Sequence, residues 1–431
     1  MDALIVSSII FIITLIIIFS EKVDRTIVAM TGAALMVIVG IKMGFYTEEG
    51  ALESIDFNTL GLLLGMMILV SILEPTGVFE YLAIYVGKFS KGKPIRLFVL
   101  LGAVTSVVSM FLDNVTTVVL IAPITILICE ILGISVQPYL LAEALLSNVG
   151  GVSTLVGDPP NILIASAAGF SFNDFLIHSL PIVLVTWFVS LYVLLKLFKK
   201  DFANNIPSNP EAIMQLNPGE AIKDRKNATR GLIMIGVAVL GFLFEEKLHV
   251  RPSMIALSAA AFGLFWVQPE NLRETLNRAE WNILIFFASL FILVGGMQSA
   301  GVMQGLANII GQGVQLPPVV LGVFLLWIVA ILSAIVDNVP ITITLIPVIQ
   351  GLSGLGIDIA PLWWALAFGT GFGGNGTIIG STANVIVTSL SERTRSPITP
   401  AIWSKRGLPV MLVSCAVASI LYVGFYYVFG F

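Results

Sequence analysis

A chain of 431 residues that is 57% hydrophobic and only 11% charged has too little charged surface for a water-soluble domain of its size. Its formal net charge of −4 says nothing about partners, because the charges sit in short segments between apolar stretches. The two cysteines, Cys129 and Cys415, lie far apart inside apolar stretches, which excludes a disulfide framework and fits small core residues.

In chain order, apolar stretches cover 4–19, 26–41 and 58–73. Each approaches the ~20 residues that cross a bilayer core as helix. The first has no preceding positive charge and no following small-residue cleavage pattern, so it reads as a span and not as a leader. Next comes a long apolar segment interrupted by Asp113-Asn114. A second segment, 139–168, is interrupted by "GGVSTLVGDPPN" (150–161), and a span follows at 175–195. The polar stretch 199–230, rich in Pro, Asn and charge, reads as a linker.

After the linker the pattern returns. Asp337-Asn338-Val339 repeats Asp113-Asn114-Val115 at an offset of 224, which also pairs Asp56 with Glu280, Gly77 with Gly301, Ser109 with Ser333 and Pro123 with Pro347. At an offset of 223, "GGNGTIIGSTANVIVTS" (373–389) aligns with "GGVSTLVGDPPNILIAS" (150–166). The chain is therefore a duplication. The predicted fold is an all-α polytopic membrane protein, an inverted repeat of two five-span halves, each with a re-entrant hairpin and an unwound helix. The predicted organisation is scaffold helices (1–95), hairpin and broken helix (96–170), a last span (171–198), the linker (199–230), then the same order at 231–317, 318–392 and 393–431. Each half crosses an odd number of times, so successive halves take opposite orientations. Assigning loops 20–25, 75–96, 196–230, 269–280 and 392–406 to the cytoplasm puts 19 of the 22 Lys and Arg inside, leaving Lys42, Lys247 and Arg251 outside. That assignment predicts both termini outside and no Lys or Arg within a span. The predicted location is a plasma (inner) membrane if the cell is prokaryotic.

An ionised carboxylate at helix centre costs ~2.5–3.5 kcal/mol on insertion scales, so Asp113 and Asp337 need protein, water or a cation beside them. Asp-Asn is read either as the tip of a re-entrant hairpin or as an extramembrane turn between two full spans. The paired glycine- and proline-rich interruptions favour the first, because irregular backbone at membrane depth is tolerated only where it is buried in protein or lines a cavity. Broken helices there point N–H dipoles at anions and carbonyls at cations. Lesser signals read as structure: "GLLLG" (61–65) as helix packing or a dimer face, Glu130 and Glu143 as interface residues, Asp56 and Glu280 as N-terminal helix charges. His178 and His249 lie near span ends, and no Ser-His-Asp, HExxH, P-loop or GxGxxG context is present, so the sequence offers no enzyme active site.

The stretches "FLDNVTT", "SNVGGVSTLVGDPPN", "DNVPITITLIPV" and "ALAFGTGFGGNGTIIGSTANV" resemble the ion transporter superfamily. The resemblance is to its P protein (pink-eyed dilution) permease branch, near the arsenite permeases and NhaD-type sodium/proton antiporters and, more distantly, the sodium/dicarboxylate symporters. It implies a scaffold of paired outer helices, usually dimeric, and a transport domain of opposed hairpins and unwound helices. It also implies that the two Asp-Asn-Val tips occupy the positions of the symporters' Ser-Asn-Thr motifs, which hold sodium and substrate. Here Asp replaces Ser at both tips and Val replaces the last Thr; Thr116 follows the first tip and Pro340 the second.

The substrate-binding candidates are Asn114, Thr116, Gly150, Gly151, Ser153, Thr154 and Asn161, with Asn338, Gly373, Gly374, Asn375, Thr377 and Asn384. The coupling-ion candidates are Asp113, Asp158, Asp337 and Ser381. Ser153, Thr154, Asn375 and Thr377 are expected nearest the ligand. The expected function is a secondary active transporter that carries a small anion or oxyanion, arsenite-like or antimonite-like, by an elevator movement coupled to Na⁺ or H⁺. A sodium/proton antiporter is the alternative, and a passive chloride channel the second. Expected partners are the anion, Na⁺ or H⁺, the bilayer and a second copy of the chain, with no nucleic acid and no cofactor beyond Na⁺.

Overall fold

The structure, a computed structural model, describes residues 2–430 apart from 21, 205, 209, 304, 306–315 and 355. Among the described residues it is helical throughout, with no strand. The first half contains α1 (Ala3–Phe19), α2 (Arg25–Met43), α3 (Phe57–Leu73), α4 (Val78–Ser90), α5 (Pro94–Ser109), α6 (Asn114–Leu132), α7 (Gln137–Gly151), α8 (Pro159–Ala168) and α9 (Leu180–Leu197). The second contains α10 (Arg225–Leu243), α11 (Pro252–Val267), α12 (Trp281–Ser299), α13 (Pro318–Ile335), α14 (Asn338–Ser353), α15 (Ala360–Gly373), α16 (Thr382–Glu392) and α17 (Pro400–Phe429). Eight described helices are long and apolar enough to cross a membrane.

The duplication holds helix by helix. The 224-residue shift lays α1, α2, α3, α5 and α6 onto α10, α11, α12, α13 and α14, and the 223-residue shift lays α7, α8 and α9 onto α15, α16 and α17. The counterpart of α4, at 302–314, falls mostly outside the described residues. Local chemistry sets the helix ends. Asp24, Asp56, Asp113, Asp224 and Asp337 each stand at an N-cap and accept backbone N–H groups that the helix leaves open. Gly44, Gly133 and Gly169 close α2, α6 and α8 in the left-handed conformation that a side chain would resist.

Helix contacts are densest within two groups, a scaffold and a hairpin body, which share one hydrophobic core. In the scaffold, α1 and α2 pack on each other and on α12, while α10 and α11 pack on each other and on α3. Gly61 and Gly65 face α11, where a Cβ on Gly65 would stand 2.6 Å from the Ala256 carbonyl carbon. The "GLLLG" run is thus an intramolecular helix-packing site. In the second body α5 lies on α7 and α13 on α15. Each half's α8 or α16 packs on the other half's hairpin arm, α8 on α14 and α16 on α6. The two bodies are therefore each interlaced across the duplication.

Some expectations needed adjustment. The linker is partly folded and tied down: the Ser208 N–H donates to the Leu132 carbonyl, the Lys223 N–H to the Thr76 carbonyl, and Ile213 is fully buried. Asp56 does cap α3, whereas Glu280 makes no side-chain cap bond. Glu143 is fully buried between α6 and α7, where it accepts a short hydrogen bond from Thr125 Oγ1, and does not face an interface.

Candidate functional site

The unwound segments arise where glycines let backbones approach. A Cβ on Gly150 would stand 2.7 Å from the Ser106 carbonyl oxygen, and one on Gly373 2.5 Å from the Ala330 carbonyl oxygen. Gly151 and Gly374 meet the carbonyls of Gly157 and Gly380 in the same way, at 2.7 and 2.8 Å. Pro159 and Pro160 then restart a helix at α8.

Polar side chains from both halves satisfy the freed backbone. Asn161 Nδ2 donates to the Gly151 and Thr154 carbonyls at 3.0 and 2.7 Å, and Asn384 Nδ2 repeats this on Gly374 and Thr377 at 2.7 and 3.0 Å. Thr154 Oγ1 makes a short hydrogen bond to the Met110 carbonyl and Thr377 Oγ1 to the Ala334 carbonyl, tying each broken helix to its own hairpin. Ser153 Oγ donates to the Gly150 carbonyl at 2.6 Å. Asn338, with its amide turned to suit its neighbours, donates to the Thr370 and Gly380 carbonyls at 3.1 and 2.8 Å.

The centre of this network is Asn148, which is fully buried and absent from the candidates. Its Oδ1 accepts from Asn114 Nδ2 and Ser381 Oγ, each at 3.0 Å. Its Nδ2 donates to Asn375 Oδ1 at 2.9 Å and Asn384 Oδ1 at 3.0 Å. One amide thus joins a tip of the first half to the broken helix of the second. The sequence held a signal: the 223-residue shift sets Asn148 against Gly371, so the hub breaks the repeat.

Both tips border one small cavity of about 30 Å³, room for roughly one water-sized species. Asn114, Val115, Asp337, Asn338 and Val339 come from the tips, Asp158, Pro159, Ser381 and Thr382 from α8 and α16 and their caps, and Arg25, Ile283, Phe286 and Phe287 from the scaffold. Ser153, Thr154, Asn375 and Thr377 do not line it; their polar groups are engaged with the protein.

Two carboxylates, Asp158 and Asp337, line this cavity, whereas Asp113 lies outside its lining. Asp113 caps α6, accepting from the Thr116 N–H at 2.8 Å and Thr116 Oγ1 at 2.6 Å. Asp337 caps α14 and accepts from Thr382 Oγ1 at 2.7 Å and from Arg25 at 2.8 Å. Of the neutralising partners open to a tip aspartate, Asp337 thus has protein, the Arg25 guanidinium. Arg25 opens α2 from a loop position, and its long side chain reaches the tip across the Phe286 ring. Asp158 is only 2% exposed, and its Oδ2 is buried with no hydrogen-bond partner. Its repeat mate is the neutral Ser381.

The citrate transporter family, CitMHS, matches residues 15–369 of the chain. The chain belongs to that family. Among relatives, a 46 kDa membrane protein of Mycobacterium leprae is 41% identical, covering 95% of this chain and 96% of its own length. An uncharacterized transporter of Mycobacterium tuberculosis is 39% identical over the same shares. The human P protein is 29% identical over 92% of this chain, which spans 57% of that longer protein. The crystal structure of the Alcanivorax borkumensis YdaH transporter, described as having an unusual topology, covers 91% of this chain and 90% of its own at a TM-score of 0.60 and 17% identity. This member of the citrate transporter family is an integral, multi-pass membrane transporter, and the resemblance to the P protein branch holds along nearly its whole length.

Proposed function

We propose that the chain is a secondary active transporter of a small anion, coupled to Na⁺ or H⁺ through Asp158. The observation that carries this reading is the buried, unpartnered carboxyl oxygen of Asp158 between the two tips. An uncompensated buried carboxylate is costly, so it takes up a proton or a cation when the site works. Asp337 and Ser381 supply further oxygens in the same lining. The family's description names citrate, and an arsenite-like oxyanion is a second candidate. With two lining carboxylates against one guanidinium, a multivalent anion would enter only together with cations or protons.

What supports an elevator movement is that the halves meet the scaffold differently. In the first half α3 meets α8, with Ser166 Oγ bonded to Asp56 Oδ2. In the second, α12 meets the hairpin arm α14, with Arg25 on Asp337. The duplicate of the first bond would join Ser389 to Glu280, and no such bond exists among the described residues. A hairpin body displaced toward one end of a pseudosymmetric scaffold produces this inequality. Sliding to the other end would exchange the two sets of contacts, pairing Ser389 with Glu280 and bringing Asp113 toward His249, the repeat mate of Arg25.

The excess of carboxylates also favours a second reading, sodium/proton antiport. Uptake into proteoliposomes separates them, using citrate, arsenite and phosphate under imposed Na⁺ or H⁺ gradients, with Asp158→Asn alongside. Gradient-driven anion uptake that loses its gradient dependence in the variant is expected. Na⁺/H⁺ exchange without any anion would support the antiporter, and anion flux indifferent to both gradients would refute coupling.

A further inference from the structure

Away from the tips, α4 and the folded linker enclose a cleft of about 730 Å³ that the transport reading does not use. Lys88, Lys91 and Arg225 line it together with Tyr81, Tyr85 and Phe89. Phe89 also borders a neighbouring groove of about 650 Å³, walled by Pro94, Ile95, Val99 and Leu100 with Lys93 and Arg96 among its lining. The two spaces are thus one basic, aromatic cleft continued by an apolar trough.

We propose that this double cleft binds an anionic phospholipid, its phosphate held by Lys88, Lys91 and Arg225 and one acyl chain lying along the trough. Charge is the first reason. Among the described residues, none of Lys88, Lys91, Lys93, Arg96 or Arg225 forms an ion pair, so five unpaired cations surround the cleft. Asp224 caps α10 on Asn227, and Glu220 accepts from Asn217 at 3.1 Å, so neither pairs with these cations. Amphipathy is the second. Tyr85, Phe89 and Ile95 are 52%, 61% and 54% exposed, a costly surface for water but a fitting one for the boundary between headgroups and acyl chains. Basic pockets beside apolar membrane surface hold anionic headgroups in this way. A soluble anion would need the cations but would have no use for the trough.

The test uses the full chain, delipidated in detergent, with dioleoyl-phosphatidylglycerol, dioleoyl-phosphatidylcholine, dihexanoyl-phosphatidylglycerol or inorganic phosphate added, and retention read by native mass spectrometry and melting temperature. Dioleoyl-phosphatidylglycerol should bind at least tenfold tighter than dioleoyl-phosphatidylcholine. Lys88→Gln/Lys91→Gln/Arg225→Gln should remove that preference, while Lys199→Gln/Lys200→Gln/Lys405→Gln keeps it. Phe89→Ala should weaken the long-chain lipid toward the affinity of the short-chain one; this single change in an exposed side chain remains informative if the triple variant fails to fold. Equal binding of the two headgroups, an unaffected triple variant, or inorganic phosphate stabilising as well as the long-chain lipid would each overturn the proposal.

Discussion

Replacing Asn148 with alanine should damage the protein far beyond the loss of one side chain. Four hydrogen bonds end on this amide, and every partner is itself buried: Asn114, Ser381, Asn375 and Asn384. Asn375 keeps its bond to the Leu145 carbonyl, and Asn384 keeps both of its backbone bonds, but their side-chain oxygens lose their donor. Asn114 Nδ2 and Ser381 Oγ lose their acceptor. Side-chain hydrogen bonds in membrane proteins average about 0.6 kcal/mol each in double-mutant cycles. Four of them, with some desolvation penalty for the orphaned groups, give about 2–4 kcal/mol. Asn148→Asp should be at least as harmful, because it sets a carboxylate against two amide oxygens. The assay is thermal unfolding of the purified protein in detergent, with Thr388→Ala as the control, since Thr388 bonds only within its own helix, to the Asn384 carbonyl. A fall of several degrees for both Asn148 variants and little change for Thr388→Ala is expected. An unchanged melting temperature for Asn148→Ala would show that the amide hub does not hold the halves together.

Gly150→Ala should cost about 1–3 kcal/mol, because its Cβ would meet the Ser106 carbonyl and backbone cannot yield cheaply. Gly236→Ala, with open space around it, should leave the melting temperature unchanged or raise it, and equal effects at the two sites would contradict the close-approach argument. Between α10 and α11, burial pushes the Glu245 carboxyl up to about 7, against the opposing bond from the Phe172 N–H and with the help of Glu246 and Asp174. The folded form then holds the proton more tightly than the unfolded form, whose value is 4.5, so stability is fullest below about 4.5 and is lost as pH rises toward 7. Glu245→Gln should flatten that slope in melting temperatures taken from pH 5 to 8, and an unaltered slope would assign the pH dependence elsewhere.

The membrane class, the duplication and the breaks at 150–161 and 373–384 were legible because each leaves a linear trace: long apolar runs, a fixed offset, and glycines and prolines where helix should continue. The candidate site was legible in part. Asn114, Asp158, Asp337, Asn338 and Ser381 do converge, since the pairing of interruptions betrays which segments meet. Thr154 and Thr377 lie outside the cavity lining and bond carbonyls, because a hydroxyl beside broken backbone is as well suited to bonding a carbonyl as to meeting a ligand, and residue type alone cannot separate the two. Arg25 was hidden for a different reason. It belongs by sequence to a charged loop, and only the packing of the second tip against the scaffold brings Asp337 within its reach. Asn148 left a trace in its mismatch with Gly371, but repeat comparison rewards identities and passes over the position where the halves differ.

The central claim, that the hairpin body slides along the scaffold, is tested most directly by cysteine cross-linking in a chain whose Cys129 and Cys415 are replaced by alanine. One pair is Asp56→Cys with Ser166→Cys, which are in contact; the other is Glu280→Cys with Ser389→Cys, their duplicates. Each pair should cross-link under oxidation in active proteoliposomes, never both in the same molecule, and either cross-link should stop transport until it is reduced. Transport that continues with the first pair locked, or a second pair that never cross-links while transport is active, would contradict the sliding of the two bodies.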